Sequence, residues 1–160
     1  MKTFFIILFS LLAILLGYGI WYGFSKSTPT TSVNDPNRPV VEVKEPNFDL
    51  GKMNVKNTRD HEFTVANVGK SNLILKQFTT SCGCTTARVI QDGQESPKFS
   101  MHINSDWQTN LQPGKSLTVK VVYDPSAMPV EGKVERSVTF ATNDPAKPSI
   151  ELKMTAEVSK

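Results

Sequence analysis

The only two cysteines of the 160-residue chain stand one glycine apart, in Thr79-Thr80-Ser81-Cys82-Gly83-Cys84-Thr85-Thr86. Thiols at that spacing have three uses: a disulfide, a clamp on a soft metal ion, or thiol exchange. On an extended strand residues i and i+2 point to the same face, which sets Cys82 and Cys84 side by side with Cα atoms about 6.5–7 Å apart. That is at or past the usual disulfide span, and Gly83 lets the backbone bend to close it. Such a bond closes a very small ring, removes little entropy from the unfolded chain and is easily reduced. It predicts local shape or redox reactivity rather than a global staple. Two thiolates also suit one soft ion, and Cu(I) is the candidate that thioethers share. Met101 and His102 would complete that set, with Met53 and Met128 more remote. Zinc is disfavoured, because His61 and His102 fit no finger spacing with the cysteines. Thiol-exchange enzymes more typically carry Cys-x-x-Cys at a helix N-terminus, where the dipole lowers the thiol pKa. This pair sits among strands, and the next basic residue is Arg88.

Other catalytic signatures are missing. There is no P-loop, dinucleotide fingerprint, His-Glu-x-x-His or Gly-x-Ser-x-Gly, and no catalytic residues are expected. His61 stands beside Glu62 and Phe63 on a strand and reads as a surface residue. Asp124 and Asp144 each precede a proline, where capping a turn explains them. Trp107 reads as the anchor of the loop before Pro113.

The elements that position these residues are strands. In "SIELKMTAEV" Ile150, Leu152, Met154, Ala156 and Val158 alternate with polar residues, the mark of a strand with one buried face. "SLTVKVVYD" places Leu117, Val119, Val121 and Tyr123 inward, "VERSVTFAT" does so with Val134, Val138 and Phe140, and "HEFTVANV" with Phe63 and Val65. "NLILKQFTT" leads straight into the cysteines. Asn67-Val68-Gly69 and Asp92-Gly93 can each supply a residue at positive φ. Pro113-Gly114 suits a type II turn, while Asp124-Pro125 and Asn143-Asp144-Pro145 stop strands. About seven or eight short strands with no amphipathic helix predict a β-sandwich over residues 40–160, with a barrel the lesser alternative. An insertion after the cysteines reads as a hairpin, "ARVI" and "KFSMHI" joined around "QDGQES", which folds Met101 and His102 back toward them.

Ahead of that domain, Phe4 to Phe24 run without a charge, amide or proline. A helix of that length spans about 31 Å, close to the hydrocarbon core of a bilayer. Only poor cleavage patterns follow, and Trp21, Tyr22 and Phe24 sit where an aromatic belt would. The expectation is an uncleaved signal anchor over residues 1–24, single-pass in a membrane, with the remainder exported. Residues 25–39, rich in Ser, Thr, Pro and Asn, bury too little apolar area to offset their ordering and read as a flexible spacer. After the span come 17 basic and 15 acidic residues, a net charge of about +2. The basic residues are scattered rather than striped, which disfavours nucleic acid.

"NFDLGKM", "HEFTVANVGKSNLIL", "TTSCGCTTA", "LQPGKSLTVKVVYDP" and "TFATNDPAKPSIELKMTAEV" occur in the order and spacing of a bacterial family. The chain resembles the domain-of-unknown-function family numbered 1573 over about Pro46 to Val158. The resemblance implies an immunoglobulin-like sandwich akin to major-sperm-protein and pilus-chaperone domains, in an exported protein, and brings no established activity. The 28 residues between Cys84 and Pro113 are longer than the connection common in that family. The leading expectation is a non-catalytic module, held at the membrane by residues 4–24, that contacts other envelope or membrane proteins. Cu(I) binding or thiol-redox exchange through Cys82 and Cys84 is the alternative.

Overall fold

The alternation of Ile150 to Val158 belongs to the longest run of paired backbone among the described residues. The computed structural model describes residues 31–101 and 106–160; the predicted span Phe4–Phe24 and His102 lie outside them. Ten strands occur among the described residues: β1 (Val41–Glu42), β2 (Asn47–Asn54), β3 (Arg59–Asn67), β4 (Leu73–Thr80), β5 (Thr85–Gln91), β6 (Gln94–Glu95), β7 (Gln108–Leu111), β8 (Ser116–Tyr123), β9 (Gly132–Thr142) and β10 (Ser149–Ser159). They form two five-stranded sheets, ordered β1-β3-β8-β5-β6 and β2-β10-β9-β4-β7. The excess over the predicted seven or eight comes mainly from β1 and β6, two residues each and too short to show a period. Among the described residues no helix is long and apolar enough to cross a membrane.

The inward residues of both sheets meet in one core. Phe63, Val65, Leu117, Val119, Val121 and Tyr123 come from the first sheet, and Val138, Phe140, Leu152, Met154, Ala156 and Val158 from the second, all buried. Ile150 is the exception, only partly covered at the start of β10. At one place the core is aromatic. Phe78 stacks on Phe99 at 4.9 Å and on Phe140 at 4.8 Å, and Trp107 lies 5.4 Å from Phe99. Trp107 is thus the expected loop anchor.

A hairpin follows the cysteines, but its second arm is β6, inside the stretch expected as the loop, rather than "KFSMHI". β5 folds onto β6 through Asp92 and Gly93, both at positive φ (51° and 78°), as a two-residue hairpin turn requires. Phe99 then pairs with Ala87. Gly114 adopts φ 74° after Pro113, as expected. Gly69 differs: it is not among the positive-φ residues. A Cβ there would overlap Val40 N, Arg38 O and Pro39 C, so close backbone approach is what requires glycine.

That approach joins the chain's entry to the domain. Residues Thr31–Lys160 form one compact unit, and turns close from Asp35 N to Ser32 O and from Arg38 N to Asp35 O. Order therefore reaches into the stretch read as spacer. Its cause is Asp144, whose Oδ1 accepts from Arg38 at 2.6 Å and whose Oδ2 accepts from Val41 N at 3.0 Å. Asn67, fully buried, completes the join: its amide donates to Ser71 O and Leu111 O and its Oδ1 accepts from Gly69 N.

Candidate functional site

The cysteines stand where the chain crosses from one sheet to the other, between the end of β4 and the start of β5. They are not on an extended strand. Thr85 N donates back to Cys82 O at 3.2 Å, and this turn draws the two Cα atoms to 5.3 Å, less than the extended value expected from sequence. The sulfurs are joined as a disulfide. In that state neither sulfur is a thiolate, and neither ligates Cu(I).

Hydrogen bonds outside the disulfide hold the loop from three sides. Ser81 N donates to Ser137 O and Ser81 Oγ accepts from Ser137 N, each at 2.9 Å, tying the loop to β9. Cys84 O accepts from Asp124 N at 2.9 Å, tying it to the end of β8. Thr80 Oγ1, buried, lies 3.0 Å from both Cys82 O and Thr85 O. Asp124 in turn caps the 3-10 turn Pro125–Ala127, accepting from Ser126 N at 3.0 Å. Both Asp124 and Asp144 therefore serve structure, Asp144 through more partners than a turn cap needs.

Exposure divides the cysteines. Cys84 is 2% exposed, whereas Cys82 is only partly buried. Thr85 Oγ1, fully buried, sits 3.3 Å from Cys82 Sγ and 3.9 Å from Cys84 Sγ. Met128 brings a thioether to the loop: its Sδ would meet a Cβ on Gly83 at 4.0 Å. Met101 is exposed on the segment that follows Phe99, and His102 lies outside the described residues. Among the described residues no three His, Cys, Asp or Glu side chains form a metal-holding group. Thr80 and Thr85 were not singled out from sequence. The signal available was two β-branched hydroxyl residues flanking the cysteine turn.

A second feature, a groove of about 590 Å³, runs along β3, and none of its lining residues belongs to the cysteine loop. It exists because β1 pairs only with Ala66 and Asn67 of β3 before the chain leaves for the other sheet as β2. From Arg59 to Val65, β3 has β8 on one side and, among the described residues, no strand on the other. Asn67 N donates to Lys115 O beside β8, and Val68 N donates to Val40 O on the β1 side. Since successive strand amides alternate sides, the N–H groups of Asp60, Glu62 and Thr64 point away from β8. Glu42 and Glu45 line the facing wall, and Lys120 bridges Asp60 (3.3 Å) and Glu62 (3.6 Å) on the outer face. His61, expected at the surface, is instead partly covered. Its ring stacks on Phe48 at 3.5 Å and meets Phe63 edge-on at 4.7 Å, and burial lowers its pKa against the upward pull of Glu45, Asp60 and Glu62.

No curated protein matches the chain. Among solved structures, a protein of unknown function from Porphyromonas gingivalis W83 is similar at TM-score 0.61 and 22% identity, over 82% of this chain and 51% of that one. The chain thus spans about half the length of that relative. The PapD-like domain 7 of human CEP192 is similar at TM-score 0.51 and 11% identity, over 83% of this chain and 92% of that domain. A family 123 glycoside hydrolase from Clostridium perfringens is similar at TM-score 0.53 and 7% identity, over 76% of this chain and 27% of that enzyme. At these identities the likenesses show a shared sandwich and no shared activity. The HYDIN/CFA65/VesB-like, Ig-like domain family matches residues 39–157, from the entry of the domain to near the end of β10, and the chain belongs to that family.

Proposed function

We propose that this is a membrane-anchored, extracytoplasmic binding module of the bacterial envelope that takes an extended segment of another exported protein onto the free edge of β3. The observation that carries the reading is the run of outward amides at Asp60, Glu62 and Thr64 beside an open groove. An unpaired edge is a template for an added strand, with main-chain bonds giving affinity and alternate side chains giving selectivity. Four carboxylates, Glu42, Glu45, Asp60 and Glu62, stand along it. Of the cations there Arg59 donates to Leu50 O and Lys120 is held by Asp60 and Glu62, which leaves Lys44 and Lys115. The occupant is therefore a segment with basic side chains at alternate positions. A second copy fits less well, because edge-to-edge pairing would bring Asp60 and Glu62 of both copies into one strip. The apolar run Phe4–Phe24 supports the anchor. The "CGCT", Asn67-x-Gly69, Pro113-Gly114 and "TNDP" elements support placing the chain with the bacterial family numbered 1573. No catalysis of its own is assigned, and the structural duties of Asp124 and Asp144 support that.

The test uses the full chain in detergent and two labelled octapeptides, one alternating valine with lysine and one alternating valine with glutamate. The lysine peptide is expected to bind at least ten-fold more tightly, to weaken with salt, and to be lost in Thr64→Pro, which removes one edge amide and spares the β8 ladder. Equal binding of both peptides, or binding indifferent to Thr64→Pro, overturns the reading. Protease protection of residues 31–160 in intact cells whose outer face is accessible overturns the export.

A further inference from the structure

We propose that Cys82–Cys84 is a two-electron exchange site for the dithiols of extracytoplasmic proteins, with Cys82 the sulfur that partner thiolates attack. It is a different site from the β3 edge and stands or falls separately. A thiolate needs access to one sulfur of the disulfide, and burial offers only one: Cys82 is partly exposed and Cys84 is 2% exposed. Gly83 is exposed and without a side chain, and Met128 Sδ is the neighbour a Cβ there would meet, at 4.0 Å. A partner backbone has room to approach over the loop beside a half-exposed thioether.

In the exchange the partner thiolate bonds to Cys82 Sγ as the Cys82–Cys84 bond breaks. The electron pair passes to Cys84 Sγ, which takes up a proton. The partner's second thiol, deprotonated, then attacks its own sulfur in the mixed disulfide and releases Cys82 as a thiolate. The partner dithiol is oxidised to a disulfide, and the Cys82–Cys84 pair is reduced to two thiols. Thr85 Oγ1, 3.3 Å from Cys82 Sγ, is placed to donate a hydrogen bond to the Cys82 thiolate, which favours the charged form. The loop keeps its shape through this cycle because Ser81 with Ser137, Cys84 O with Asp124 N, and the Thr80 hydroxyl hold it independently of the sulfur bond.

The full chain in detergent, as Cys84→Ser and as Cys82→Ser, is reacted with 5,5′-dithiobis(2-nitrobenzoate). The Cys82 thiol left by Cys84→Ser is expected to react at least ten-fold faster than the Cys84 thiol left by Cys82→Ser. In cells, Cys84→Ser is expected to accumulate reducible adducts with exported proteins and Cys82→Ser is not. Adding Thr85→Val to Cys84→Ser should move the pH midpoint of the reaction upward, and Thr85→Ser should restore it. For the unaltered chain, dithiothreitol should reduce the disulfide while the far-ultraviolet circular dichroism stays that of the oxidised fold. Equal rates for the two thiols overturn the proposal, as does reduction that occurs only in denaturant.

Discussion

Arg38 and Asp144, 106 residues apart in sequence, meet at 2.6 Å with the Asp144 side chain 1% exposed. The same carboxylate accepts from Val41 N and Ala146 N, so one buried group ties the entry of the domain to the turn between β9 and β10. Removing it strands the Val41 amide and frees a guanidinium that is only 22% exposed. Breaking a buried pair by deleting one partner costs about 3–5 kcal/mol. Asp144→Ala is expected near the lower figure, because Arg38 can turn to water. The corresponding fall in Tm is roughly 10 °C, read by thermal unfolding. A change of only a degree or two would mean the entry segment contributes little to the domain's stability.

Two glycines separate a position whose neighbours demand glycine from one whose neighbours do not. Gly69→Ala drives a Cβ into the backbone of Arg38, Pro39 and Val40, which no rotamer change relieves. The expected loss is about 3 kcal/mol. Gly83→Ala meets only Met128 Sδ at ordinary contact distance and is expected within about 0.5 kcal/mol of the parent. Denaturant titrations of the two variants in parallel check the contrast. Equal effects would place the demand for glycine in the wrong loop.

How much of this was readable depends on whether the cause is local. The alternation in β8, β9 and β10 follows from one buried face, and every strand stop at Asp124-Pro125 and Asn143-Pro145 follows from proline chemistry. The parallel pairing of β2 with β10 leaves no local trace, since its register joins the two ends of the domain. Gln77 at φ 57°, at the register shift of β4 against β9, carries none of the usual residue signals for a left-handed backbone. The cysteine pair was legible in type and only partly in shape: the extended spacing with Gly83 free to bend was readable, while the turn that Thr85 N closes on Cys82 O was not. Likewise "TNDP" announced a turn, while the buried pairing of Asp144 depends on Arg38 folding back from a stretch that read as spacer.

His61 gives the fold a pH dependence with a defined sign. Its folded pKa is lowered from 6.5 by burial, the largest cause, partly offset by Glu45, Asp60 and Glu62. The unfolded chain therefore binds the proton more readily, and stability rises with pH across that window. His61 contributes its full share above 6.5 and loses it as pH falls through the lowered folded value. Tm of the unaltered chain should fall between pH 7 and pH 5 more steeply than that of His61→Gln. Parallel curves for the two proteins would assign the slope to other groups.

The disulfide itself should matter little to global stability. Cys82 and Cys84 are two residues apart in sequence, and closing a ring that small removes entropy worth about 1.6 kcal/mol from the unfolded chain. The Thr80, Ser81–Ser137 and Cys84–Asp124 hydrogen bonds hold the loop by paths that do not pass through the sulfurs. The reduced protein is therefore expected to unfold cooperatively, with Tm lower by roughly 6 °C and an unchanged denaturant m-value. Comparing urea titrations with and without dithiothreitol measures the difference, with alkylation afterwards to confirm two free thiols. A loss above about 4 kcal/mol, or a broad transition on reduction, would make the bond a staple of the β4–β5 crossing, and a staple of that strength cannot open and close at a partner's encounter.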